Sequence, residues 1–295
     1  MSEGGVLGQN KRRKLFLSHL LHPQTVSVVQ TRADSQGLTV EVGDVLRADF
    51  SSRDVAGVLV QYPDTEGTVT DFSVMVEHAH ENGTLVCFAT DLLALTVLRP
   101  PSEFDADVAV GSSQRFGVPL GYGGPHAGFF ACRQSLVRLM PGRMIGVTSS
   151  SWQSPIAGVC KNVVLTYVTV FYTILTDFYN PNQWFVHTGV RECGNTVNNA
   201  MFFDTVKISP SMDQGEIQHR ARQKQINLRL FLDGTVGVSL DETVSEQDVE
   251  DLLWIFGSRS SLSEEGSGEE GGTAQGYYIE VASFARASIC ALRHS

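Results

Sequence analysis

The chain has 295 residues, 42% of them hydrophobic and 18% charged, with a formal net charge of −10. That length fits one large domain or two ordinary ones, and the apolar content supports a real core. So acidic a balance excludes a nucleic-acid partner, because binding a phosphate backbone needs a basic face.

The one basic run, Asn10-Lys11-Arg12-Arg13-Lys14, reads as a solvated surface patch, with a targeting or anion role as the other reading. Leu15–Leu21 is short, broken by His19 and followed by no small-residue cleavage site, so no signal peptide or targeting presequence is expected. Cys87, Cys132, Cys160, Cys193 and Cys290 form no CxxC pair and no metal-ligand spacing, which suits reduced thiols. Residues 162–176 are uncharged and apolar. They fall short of the roughly 20 residues that span a bilayer, and their Val, Thr and Tyr content favours a strand. No membrane partner is expected.

Residues 1–21 read as an N-terminal extension. Val26–Thr31 is β-branched and reads as a first strand. Val55–Tyr62 is the continuous apolar run of a buried parallel strand, and Pro63–Gly67 is turn chemistry. A helix is predicted over Asp71–Glu81, capped by Thr70, with Phe72, Met75, Val76 and Ala79 on its apolar face. Asn82-Gly83 closes it, and Leu85–Thr90 is the next strand, ending at Asp91. Asp107–Gly111 predicts a strand that feeds the glycine-rich stretch 111–131, Phe129–Cys132 a return strand, and Ser135–Met140 a short helix.

Residues 149–200 read as irregular, with no amphipathic helix. Phe202–Ile208 reads as a strand and Asp213–Lys224 as a polar helix. Asn227–Phe231 and Val236–Leu240 flank Asp233-Gly234, a hairpin signal. Ser245 and Asp248 form a capping-box pattern ahead of a helix that buries Val249, Leu252, Leu253 and Phe256. Residues 201–257 thus make a small α+β subdomain, and the Ser/Glu/Gly-rich 258–295 reads as a disordered or divergent tail.

The segments QYPDTEG (61–67), ATDLLALTVLRPP (89–101), GSSQRFGVPLGYGGPHAGFF (111–130) and LVRLMPGRMIGVT (136–148) closely resemble the P-protein of the glycine cleavage system. FFDTVKI (202–208), QINLRLFLDGTVGVSLDETV (225–244) and DLLWIFG (251–257) resemble it further along. The resemblance implies an α/β fold over 22–148, part of a fold-type-I large domain that binds pyridoxal phosphate in the whole enzyme. It is to the first of two related halves, the one that keeps the fold without the lysine that forms the cofactor imine. It further implies a mitochondrial location and two partners: the lysine-bearing second half (or intact P-protein), and lipoylated H-protein. Residues 149–200 depart from the family pattern and read as an alternative splice product, translated non-coding sequence or a gene-model error.

By the resemblance the lysine position falls on or beside Gln114-Arg115, and neither side chain can form an imine. No lysine occurs between Lys14 and Lys161. The vestigial-pocket candidates are Asp91, Gln114, Gly123, Gly124 and His126, each with a structural alternative. Asp91, at a strand's carboxyl end, could pair a pyridine nitrogen or simply cap the strand. Gly121, Gly123 and Gly124 with Pro125 could line a phosphate or form a packing turn, and His126 fits a hydrogen-bonded turn residue. His78 and His80 face different directions, so no shared metal is expected. Ser112, Ser113 and His126 lack a G-x-S-x-G elbow, and the glycines are not a GxGxxG fingerprint. No catalytic residue is assigned, and covalent cofactor binding by this chain is not expected. A regulatory partner of the intact enzyme, or a poorly folded product, are the alternative readings.

Overall fold

The computed structural model describes residues 12–119, 121–124, 126–140, 180–241 and 243–257. They divide into two compact units, with residues 201–203 joined to the first. The hydrophobic run at 162–176, Lys161, Cys160 and the tail from 258, Cys290 included, lie outside the described residues.

The first unit is a six-stranded sheet in the order β2-β1-β3-β4-β5-β6. Its strands are β1 (Lys14–Ser18), β2 (Thr39–Gly43), β3 (Val55–Tyr62), β4 (Leu85–Asp91), β5 (Val108–Ser112) and β6 (Gly128–Cys132). All neighbours pair in parallel except β6, which returns antiparallel along β5. The residues read as an extension therefore supply an interior strand. The apolar run after the basic patch is short, but five residues suffice for a strand held on both sides.

The Val26–Thr31 strand is a misreading, since it lies inside α1 (Pro23–Gln36). Pro23 stands at the helix start with its φ already suited to a helix, and Gly37 ends the helix at φ +64. These two signals outweigh the β preference of Val26, Val28 and Val29, which is a weak prior. The second helix, α2 (Ser73–Glu81), starts two residues later than predicted. Thr70 does not cap it; instead the Asp71 carboxylate accepts the Ser73 N–H at 2.8 Å.

The core follows from the apolar runs of β3 and β4. Val58, Val60, Val86 and Phe88 are buried, against Met75, Val76 and Ala79 of α2. Tyr62, Phe72, Phe88 and Phe104 form one aromatic cluster with centroids 5.5–6.4 Å apart, mostly edge to face. Buried Asp107 joins three elements: it accepts the Val86 N–H at 2.8 Å, faces His80 of α2 at 2.8 Å, and lies 3.2 Å from Arg133 beyond β6. The predicted 135–140 helix is a 3-10 turn over Gln134–Leu139.

The second unit is an antiparallel sheet, β7 (Thr196–Val197), β8 (Thr205–Ser209), β10 (Val236–Ser239) and β9 (Arg229–Leu230) in that order. Its helices are α3 (Asn180–Glu192), α4 (Gln214–Gln223) and α5 (Glu246–Ile255), with α3 and α4 both packed on α5. Helix α3 corrects the reading of 149–200 as lacking a helix. Its Asn-Pro-Asn start looks like a turn in isolation, and Gly189 sits mid-helix where Leu253 packs close against its Cα. Strand β8 starts three residues later than predicted, because Phe202 bridges to Thr68 of the first unit. The Asp233-Gly234 turn forms the hairpin as read, with Gly234 at φ +84. The Ser245–Asp248 capping box is present in full. Along α5, Val249, Leu252 and Ile255 are buried, followed by Phe256; Leu253 is half-buried.

Candidate functional site

In an open α/β sheet, ligands bind outside the carboxyl ends of the strands, where the strand order reverses. Here the reversal lies between β1 and β3, since β1 leads through α1 to β2 on one side while β3 and β4 continue on the other. The sequence reading missed this point because it left β1 out of the sheet. The signal that would have found it is Pro23, which marks a helix start and makes the preceding Lys14–Ser18 a strand by elimination.

Two turns meet at the reversal. After the cis peptide Tyr62–Pro63, the buried Asp64 carboxylate accepts the N–H groups of Glu66 and Thr68 at 2.8 and 2.9 Å. Burial raises its pKa, and those N–H groups act the other way. His22, ahead of α1, places Nδ1 3.1 Å from the Thr65 hydroxyl.

One strand further along, the carboxyl ends of β4 and β5 bring two of the predicted site positions together. Asp91 ends β4, and the 3-10 turn Gln114–Phe116 follows β5. Arg115 donates to Asp91 Oδ2 at 2.5 Å, while Asp91 Oδ1 accepts the Leu93 N–H at 3.0 Å. The Arg115 guanidinium also lies 5.8 Å from the Phe203 ring centroid. Gln114 uses its backbone N–H on the Ser112 hydroxyl at 3.2 Å.

The remaining candidates stand apart from this pair. Gly123 and His126 are exposed, and Gly124 is half-buried. A Cβ at Gly117, Gly123 or Gly124 would meet nothing within 4 Å, so close approach does not explain these glycines. Gly117 and Gly123 instead occupy φ +99 and +104, where a side chain is strained. Gly111 is the opposite case, since an added Cβ would sit 2.2 Å from the Thr90 carbonyl across the strand pair. Among the described residues no three His, Cys, Asp or Glu side chains form a metal-sized group.

Pyridoxal phosphate needs an amine for its imine and a carboxylate for its pyridine nitrogen. Among the described residues of the first unit the one lysine is Lys14, at the amino end of β1. A five-residue strand, about 13 Å long, separates it from the carboxyl pole. The Asp91 carboxylate is already engaged by Arg115 and Leu93. These residues do not fit a covalently held cofactor, and no step is derived through one.

The profile of the family described as "Glycine cleavage system P-protein" matches residues 5–156 and 172–256. Its break, 157–171, is narrower than the 149–200 stretch that the sequence sets apart, and α3 lies in the matched part. The chain is 47% identical to the mitochondrial glycine dehydrogenase (decarboxylating) of Homo sapiens across 88% of its own length, which is 28% of that protein. It is 36% identical to the Nostoc punctiforme glycine dehydrogenase (decarboxylating), across 87% of this chain and 29% of that one. Among solved structures it resembles an inhibitor-bound glycine decarboxylase (P-protein), with TM-score 0.69 and 22% identity over 85% of this chain and 66% of that one. A NifS-like protein aligns at TM-score 0.58 and 14% identity over 83% and 74% of the two chains. Both support the α/β fold alone. The chain thus spans under a third of the length of these curated relatives, and it belongs to the glycine cleavage system P-protein family.

Proposed function

We propose that this chain is the part of the first, lysine-free half of a P-protein that frames the active-site cleft, and that it does no imine chemistry itself. The whole enzyme would release carbon dioxide from glycine with pyridoxal phosphate and pass the aminomethyl group to the lipoyl arm of H-protein. The observation that carries this reading is the Arg115–Asp91 pair. Arg115, which by the resemblance falls on or beside the position of the reactive amine, is a guanidinium that stays protonated at any useful pH. It pairs with Asp91, the carboxylate proposed for the cofactor's ring. The partners implied are a lysine-bearing second half and H-protein, in the mitochondrion as for the human relative.

The test is carbon dioxide release from labelled glycine by the purified chain with pyridoxal phosphate and lipoylated H-protein. No release above a protein-free control is expected, and release by the chain alone would refute the reading. Pull-down with a lysine-bearing second half tests the framing role, for which a stable complex is expected.

A further inference from the structure

At the pole opposite the site, the amino ends of the three strands β2, β1 and β3 open on a cavity of about 940 Å³. Four cations line it: Arg12, Arg13 and Lys14 leading into β1, and Arg53 on the turn before β3. The two acids in the lining, Glu41 and Asp54, both pair with Lys14. Arg12 spends its guanidinium on the Val55 and Gly83 carbonyls at 3.1 and 2.8 Å. Arg13 and Arg53 remain exposed, and neither makes a side-chain hydrogen bond or ion pair among the described residues. The Thr39 hydroxyl beside them is likewise uncommitted.

The backbone at Arg53 bears on why the charge is there. Its φ is +56, a left-handed conformation that a side chain disfavours and glycine adopts freely. If the turn were the only requirement, glycine would serve it better, and among the described residues the guanidinium makes no hydrogen bond or ion pair that would hold the turn. On a chain of net charge −10, an open cavity with two uncommitted guanidinium groups is a local exception. Guanidinium forks match phosphate oxygens in pairs, and the two residues precede neighbouring strands whose first paired residues are Lys14 and Val55.

We propose that this cavity is an anion site for a phosphate group, held between Arg13 and Arg53 with the Thr39 hydroxyl as a third donor. The phosphate chemistry is common to a free phosphorylated metabolite and a phospholipid headgroup, and the test separates the two.

Purified full chain is titrated calorimetrically with pyrophosphate, with inorganic phosphate and with sulfate at matched ionic strength. In parallel it is floated with phosphatidylcholine vesicles with and without phosphatidylserine. Pyrophosphate is expected to bind at one site, and Arg13→Ala or Arg53→Gly to weaken it about tenfold or more. Arg53→Gly should melt at or above the parent temperature, which separates lost binding from lost folding. Flotation only with phosphatidylserine, lost in the same variants, would assign the site to a headgroup. The proposal is overturned if neither probe binds, if the variants bind as the parent does, or if sulfate binds as tightly as pyrophosphate, the mark of an adventitious ion only.

Discussion

The Arg115 guanidinium lies 2.5 Å from the Asp91 carboxylate, closing the carboxyl ends of β4 and β5 against each other. Both side chains keep between a fifth and a third of their surface exposed, so solvent screens the pair. A double-mutant cycle with Arg115→Ala and Asp91→Ala should give a coupling of about 1 kcal/mol by urea unfolding. Arg115→Lys should produce no imine absorbance with pyridoxal phosphate, because the new amine would inherit the same carboxylate partner. A coupling near zero, or a cofactor adduct in the lysine variant, would contradict this account of the site.

Asp64 separates a hydrogen-bond role from a charge role. Its pKa is raised chiefly by burial. The sign follows: its contribution to stability is greatest below the ordinary carboxylate pKa and declines as pH rises through the raised folded value. At neutral pH the ionised carboxylate is tolerated because the Glu66 and Thr68 N–H groups donate to it. Asp64→Asn keeps the accepting oxygen and sheds the charge, so it should unfold within about 1 kcal/mol of the parent, while Asp64→Ala should lose about 1–3 kcal/mol. Equal losses in the two variants at neutral pH would refute that separation.

Burial in β4, with the Asp107 carboxylate nearby, pushes the Cys87 thiol up to about 12. Since the thiolate is the nucleophile, at pH about 8 only on the order of one thiol in ten thousand is reactive. Alkylation of Cys87, followed by peptide mass spectrometry, should be negligible in the folded chain and rapid in urea. Fast native labelling would show that the β3–β4 core opens readily.

In the second unit Asp233 is held at about 2, first by the Thr235 hydroxyl, then by the Thr235 N–H, then by Lys207. A depressed carboxylate contributes stability that is complete above its ordinary pKa of about 3.9 and is lost as pH falls toward the folded value. That window therefore runs from about 4 down to about 2. Carbon-detected NMR titration should place the Asp233 midpoint at its low end, and Thr235→Val or Lys207→Met should each move it upward. An unmoved midpoint in both variants would rule out these partners as the cause.

Sequence legibility tracked how local the determining physics is. Strand β3 was readable to the residue because its apolar run is unbroken and ends at Pro63. The Ser245–Asp248 box and the Asp233-Gly234 turn were readable because their hydrogen bonds close within four residues. Strand β1 was not, because five residues become a strand only through neighbours at 39–43 and 55–59. Helix α1 was hidden by its own valines, and α3 by a start that resembles a loop. At the site, the sequence singled out Asp91 by its place at a strand end and Gln114-Arg115 by resemblance, each separately. That they would bind each other depends on strand register, which no short window contains.

The seating of β1 also sets an order of events during synthesis. It precedes both of its neighbours in the chain, so a nascent polypeptide carries this interior strand with at least one edge unpaired until β3, ending at Tyr62, has cleared the ribosome. Over that interval its apolar Leu15, Phe16 and Leu17 have no finished sheet to enter and offer a natural docking point for a chaperone.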